Sequence, residues 1–183
     1  DDTIRMSEAC GHPFTHTITL AYAAMLGQFR RDVADVDRLT AAVVALATDH
    51  GFPYYRAWAE VLRAWSLAAQ GAREEAVDEM RRGIDRLRAT AGLRLPYYRG
   101  LLAETCGRLG RIDEALDVVS SAFDDGRKSG ERWWEPELHR IRGELLVKTA
   151  AANKIKGEVM KASRGAPNEL VQRLLDEELA KHG

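Results

Sequence analysis

Few residues of this chain stand at spacings that could do chemistry. His12 and His16 lie four residues apart and would share one face of a helix, the arrangement that brings two imidazoles to a metal. No Glu completes a His-Glu-x-x-His pattern there and no third ligand stands nearby, so the expectation is a solvated pair near a helix start and no metal. Cys10 and Cys106 form no Cys-x-x-Cys pair. Cys106 reads as a small buried apolar residue, and no disulfide framework is implied. No Gly-x-x-x-x-Gly-Lys-Ser/Thr loop is present to cradle a phosphate, and no nucleophile, His and carboxylate stand at a telling spacing. The expectation is a chain that is not an enzyme and holds no cofactor.

What remains is a recognition surface. Trp58, Trp65, Tyr54, Tyr55, Tyr97 and Tyr98 cluster in two short stretches, with arginines interleaved. Aromatics with Arg suit peptide binding, and the same rings also suit packing between neighbouring helices. Arg56, Arg63, Arg99 and Arg108 could form a clamp for a peptide carboxylate.

The elements that must position these residues are helices. In Ala72–Thr90 the apolar residues Ala76, Val77, Met80, Ile84 and Leu87 fall on one stripe, with Arg73, Asp78, Arg82, Asp85 and Arg86 off it. Ile112, Ala115, Leu116, Val118, Val119, Ala122 and Phe123 repeat the pattern, and runs alternating as strands do are missing. Gly27, Gly51, Gly71, Gly92, Gly110 and Gly130 punctuate the helices.

The chain also repeats itself. Pro53-Tyr54-Tyr55-Arg56 returns as Pro96-Tyr97-Tyr98-Arg99, and Gly71-Ala72-Arg73-Glu74-Glu75-Ala76 is echoed by Gly110-Arg111-Ile112-Asp113-Glu114-Ala115. Each unit reads as helix A, a tight Gly turn and helix B. Small residues, Ala64 and Ala103 in A and Ala76 and Ala115 in B, let the two helices approach. The fold expected is all-α, a helical-hairpin repeat array or α-solenoid of about seven to nine helices with no sheet. Residues 1–11 end a preceding helix B. Hairpins follow at 12–26 with 30–49, 53–70 with 73–90, and 96–109 with 112–128, and a further helix A begins near Trp134. In such an array the A helices line the concave surface, so Trp58, Trp65, Tyr97, Glu104, Arg108 and Arg140 are expected to face a peptide-binding groove.

Composition narrows the partners. Of 183 residues, 45% are apolar and 30% charged, a globular balance. Lys and Arg number 27 against 28 Asp and Glu, a net charge of −1, which leaves no basic field for nucleic acid or an anionic membrane. Charged residues and glycines interrupt every apolar stretch too early to span a bilayer. Free cysteines and the absence of a secretory signal point to the cytoplasm. The start at Asp1, without Met, suggests a longer parent sequence or a removed tag.

Gly11-His12-Pro13-Phe14, Gln28-Phe29-Arg30-Arg31-Asp32, His50-Gly51-Phe52-Pro53 and above all Gly130-Glu131-Arg132-Trp133-Trp134-Glu135-Pro136-Glu137-Leu138-His139-Arg140 form a series. It resembles the C-terminal tetratricopeptide region of large bacterial signalling proteins that join a class III cyclase or DNA-binding domain to an ATPase and then to helical repeats. The resemblance covers about residues 8–147 and implies a regulatory or assembly role through a protein or peptide partner. The Arg set above is not the Lys/Asn/Arg constellation of chaperone-binding tetratricopeptide domains. From Asn153 the chain changes character. Gly157-Glu158-Val159-Met160-Lys161-Ala162-Ser163-Arg164-Gly165 with Asn168-Glu169-Leu170-Val171 is similar to the C-terminal helices of the aminoacyl-tRNA amidotransferase B subunit and of YqeY proteins. That resemblance implies, as an alternative, a tRNA-contacting tail through Lys154, Lys156, Lys161 and Arg164.

Two resemblances meeting at Ala150-Ala151-Ala152 imply a fusion, engineered or recombined, of a repeat unit 1–147 and a helical tail 148–183; the alternative is an ordinary diverged pair of capping helices, since solenoids end in atypical caps. Leu138, Ile141, Leu145, Ala152, Ile155 and Val159 keep one face across the junction. The expectation is one shared helix from about Pro136 to about Ser163, stopping at Gly165-Ala166-Pro167. A last helix, 168–181 with Asn168 as its cap, would then cover the end of the array.

Overall fold

The computed structural model describes residues 2–71, 73–162, 172–173 and 175–179. Its helices are α1 (Asp2–Ala9), α2 (Pro13–Phe29), α3 (Val33–Asp49), α4 (Pro53–Gln70), α5 (Arg73–Thr90), α6 (Leu95–Arg108), α7 (Ile112–Ser129) and α8 (Glu135–Ala162). Residues 172–173 and 175–179 are helical too, and no strand occurs among the described residues. The chain is an all-α array of consecutive helical hairpins.

Local chemistry sets the ends. Pro13, Pro53 and Pro96 stand in first turns, where a missing N–H costs nothing. His12 Nδ1 accepts the Thr15 N–H at 3.4 Å, and the Asp32 carboxylate accepts the Asp35 N–H at 3.1 Å. His12 is therefore a helix cap, while His16 Nδ1 lies 2.9 Å from Ser7 Oγ and ties α2 to α1.

One punctuation mark is corrected. Gly27 lies inside α2, which runs on to Phe29 rather than stopping at Leu26. Its role is close approach, since a Cβ there would sit 3.1 Å from Val36 Cγ2 on α3. The left-handed residue of that turn is Arg31, at φ +59°, where Gly71 and Gly110 serve the next two hairpins. A side chain in this conformation costs about 1–2 kcal/mol that glycine avoids.

Packing follows from the small residues. Ala64, Ala76, Ala103 and Ala115 are all buried where α4 crosses α5 and α6 crosses α7. The backbones of α2, α4, α6 and α8 approach one another in order, whereas among the described residues α5 and α7 meet only through side chains, in the ion pairs of Arg81 with Glu114 and of Arg88 with Asp125 at 3.6 Å. The A helices thus form the tighter inner row and the B helices the outer one, which curves the array around its A face.

Gly83 of α5 marks the closest crossing. A Cβ there would lie 2.5 Å from Val61 Cγ2 and 3.6 Å from the Ala57 carbonyl oxygen. Valine is stiff in a helix and cannot swing aside. On an open helix face Gly→Ala gains about 1 kcal/mol. Here Gly83→Ala is expected to cost about 1–3 kcal/mol through overpacking. A urea titration checks the sign, and a midpoint that rose would show that α5 yields without strain.

The boundary expected at 147/148 falls inside α8, which runs unbroken through Thr149-Ala150-Ala151-Ala152 to Ala162. Its buried residues are Leu138, Ile141 and Leu145 among those described. The expected stop at Gly165-Ala166-Pro167 and the Asn168 cap lie outside the described residues. No helix of the described residues is long and apolar enough to cross a membrane.

Candidate functional site on the inner face

The aromatic half of the expected groove is core. Trp58 and Trp65 are 1% exposed and Tyr97 0%. None of the three faces an open surface, because the inner row is curved tightly enough for α2 to reach past α4. Trp58 is enclosed by the rings of Tyr22, Tyr54 and Tyr55, and the Arg94 guanidinium lies over it at 4.9 Å. The Arg31 guanidinium lies over Trp65 at 5.9 Å. Neither indole N–H finds an acceptor among the described residues, so both rings serve packing. The Tyr97 hydroxyl donates to Gln28 Oε1 at 2.8 Å, and its ring packs against Phe29 and Trp134.

The arginine clamp is also corrected, for Arg56, Arg63, Arg99 and Arg108 do not converge. Arg56 pairs with Glu60 at 3.0 Å on its own helix, Arg63 with Asp37 of α3 at 3.9 Å and Arg99 with Asp125 of α7 at 2.6 Å. Being on A helices did not suffice, because alternate side chains of those helices point back to the B row.

Glu104, Arg108 and Arg140 do come together, around a partner that the sequence did not mark. Arg31 grips Glu104 with both guanidinium nitrogens at 2.8 Å, across 73 residues. Arg108 lies 3.1 Å and Arg140 3.8 Å from Glu104 Oε1. The Glu104 side chain is only 15% exposed. Arg140 is also held by Glu137 at 2.6 Å and by Glu144. Phe29 stacks on Trp134 at 5.5 Å beside this cluster. Two cavities lie beside Glu104. One, of about 280 Å³, is bounded by Gln28, Phe29, Arg31 and Trp134; the other, of about 250 Å³, by Gly107, Arg108, Glu144 and Lys148; Glu104 and Ile141 line both.

Burial pushes the Glu104 carboxyl up, but the Arg31 hydrogen bond and the charges of Arg108 and Arg31 outweigh it and hold the group below its ordinary value. A carboxylate depressed by folding adds stability that is complete above its unfolded value of about 4.3 and is lost as pH falls through the folded value. Thermal midpoints of the protein and of Glu104→Gln should therefore differ most above about pH 5 and draw together as pH falls below the unfolded value. Parallel curves over that range would show that Glu104 does not carry the linkage.

Arg31, Gln28, Phe29 and Trp134 were missed as site residues. Aligning the three hairpin turns would have found Arg31, the residue standing where the other two carry Gly. Nothing local marks Gln28, whose partner is 69 residues away. In the tail, Lys154, Lys156 and Lys161 lie on α8, and Arg164 lies outside the described residues.

Comparison with known proteins adds little chemistry. The chain is 24% identical over 146 residues to the uncharacterized protein R02095 of Rhizobium meliloti (strain 1021). That match covers 79% of this chain, which spans 14% of the length of the curated relative. No family model matches the chain, and no solved structure matches it.

Proposed function

We propose that this chain is a non-catalytic protein-interaction module, a tetratricopeptide-like stretch of helical repeats that engages a peptide segment of a partner along its inner face. The observation that carries this is the pair of cavities beside Glu104, where Arg31 of the α2–α3 turn and Arg108 of α6 meet apolar walls, with Arg140 of α8 3.8 Å from the Glu104 carboxylate. Peptide recognition needs that combination of anchoring charge and desolvated surface. The matched bacterial protein is much longer than this chain, which fits a module within a larger chain. The tRNA-contacting alternative draws on the α8 lysines alone, in a chain of net charge −1.

Selection of a displayed random peptide library against the folded chain tests the proposal. An enriched sequence should lose binding at least tenfold on Arg108→Glu or Arg140→Glu, and keep it on Arg82→Glu of the outer helix α5. No enrichment, or enrichment indifferent to the inner-face changes, would remove the proposal.

A further inference from the structure

The inner face holds a carboxylate site that the chain fills with its own side chain. Three guanidinium groups address one carboxylate. Arg31 takes both oxygens of Glu104 at 2.8 Å, Arg108 approaches one of them at 3.1 Å, and Arg140 stands 3.8 Å away, beyond hydrogen-bond reach. A guanidinium carries five N–H donors and a carboxylate about four acceptor positions. The nitrogens of Arg140 are taken by Glu137 and Glu144, so the donors that one glutamate leaves to spare are those of Arg31 and Arg108, and Lys148 adds an ammonium at the far wall.

A second observation is independent of charge. Arg31 keeps a left-handed backbone at φ +59°, in a turn whose counterparts use Gly71 and Gly110. Strain of this kind persists at ligand clamps, where a side chain is needed in spite of its backbone. The third is placement. Glu104 lines both cavities of the inner face, so a ligand in either one lies against the residue that Arg31 and Arg108 hold.

Resting on the interaction-module proposal, we infer that Glu104 is an internal stand-in for a partner's glutamate, and that an acidic peptide segment binds by displacing it from Arg31, Arg108 and Arg140. The clamp is shaped on a glutamate side chain at the end of its stem, so the occupant is a side-chain carboxylate of such a segment and not a chain terminus. Fork-shaped pairing of this kind is specific as well as strong. Displacement also makes the site self-limiting. The internal carboxylate competes at high effective concentration, so the resting protein binds weakly until a partner supplies several acidic groups.

The probe is N-acetylated, C-amidated hexaglutamate, followed by calorimetry on the full chain at low salt. Glu104→Gln should bind it at least tenfold more tightly than the unaltered protein, and adding Arg31→Gln should abolish that gain. Glu104→Asp, which withdraws the carboxylate by one methylene and keeps the charge, should bind with intermediate affinity and serves if the Gln variant fails to fold. Raising salt should weaken every interaction in the series. Hexaglutamine with a free C-terminal carboxylate should not bind; if it binds as hexaglutamate does, the occupant is a chain terminus and the inference fails. Equal hexaglutamate affinity for the unaltered protein and both Glu104 variants would also overturn it. In that event a library-selected peptide that still depended on Arg108 or Arg140 would leave the interaction module standing without the internal stand-in.

Discussion

Trp58→Ala should lower the thermal midpoint by roughly 6–20 °C. The indole is buried between three tyrosine rings and the Arg94 guanidinium, and it joins α2, α4 and the α5–α6 turn. Removing a buried Trp or Phe side chain costs about 3–5 kcal/mol, because surrounding groups relax only partly into the space. In a domain of this size each kcal/mol moves the midpoint by about 2–4 °C. Trp58→Phe should recover most of the loss, since the unpartnered indole N–H contributes no hydrogen bond. Trp133→Ala is the control. That ring is 47% exposed, and its change should shift the midpoint far less. Circular dichroism melts of the three variants decide the matter. A Trp58→Ala shift no larger than that of Trp133→Ala would mean that the inner face is open to solvent.

The distinction between these two tryptophans was not legible in the sequence, and the reason is geometric. Helix content, hairpin order and the crossings at Ala64–Ala76 and Ala103–Ala115 depend on periods of three or four residues and on neighbouring elements. Short-range patterns report such features faithfully. Whether an A-helix aromatic is covered depends instead on curvature, the sum of small rotations over several hairpins. A slightly flatter array would leave Trp58 and Trp65 lining an open groove, as their spacing suggested. The observed curvature carries Phe29 to Tyr97 and Trp134, and Arg31 to Glu104, over the intervening α4. Glu104 and Arg108 of α6 meet Arg140 of α8 because these two A helices are adjacent, but the residue that binds them together comes from a turn two hairpins earlier.

Removing 132–183 should have the largest effect of all, and it should be an effect on solubility as much as on stability. Helix α8 covers one side of α6 and α7. Trp134 fits against Gly100, where a Cβ would stand 2.8 Å from its Nε1, and Leu145 fits against Gly107, where a Cβ would stand 2.6 Å from its Cδ2. Leu138 and Ile141 are buried between these points, and His139 packs on Phe123 of α7 at 4.7 Å. Burying one such apolar side chain is worth about 1.5–3 kcal/mol, so Leu138, Ile141 and Leu145 with Trp134 contribute on the order of 6–12 kcal/mol gross. Their loss uncovers the faces of α6 and α7 as a continuous apolar strip, and repeat units without a cap associate through such faces. The chain ending at Glu131 should melt well below the full chain and elute as aggregates. A chain ending at Lys148 should remain monomeric and melt near the full chain, because it keeps Leu138, Ile141 and Leu145 and the Lys148 Nζ bond to the Gly107 carbonyl at 3.3 Å. Light scattering after gel filtration separates the outcomes. If both truncations aggregate alike, residues beyond Lys148 complete the cap; if neither does, α6 and α7 hold together without α8 and the array closes earlier in the chain than its buried side chains indicate.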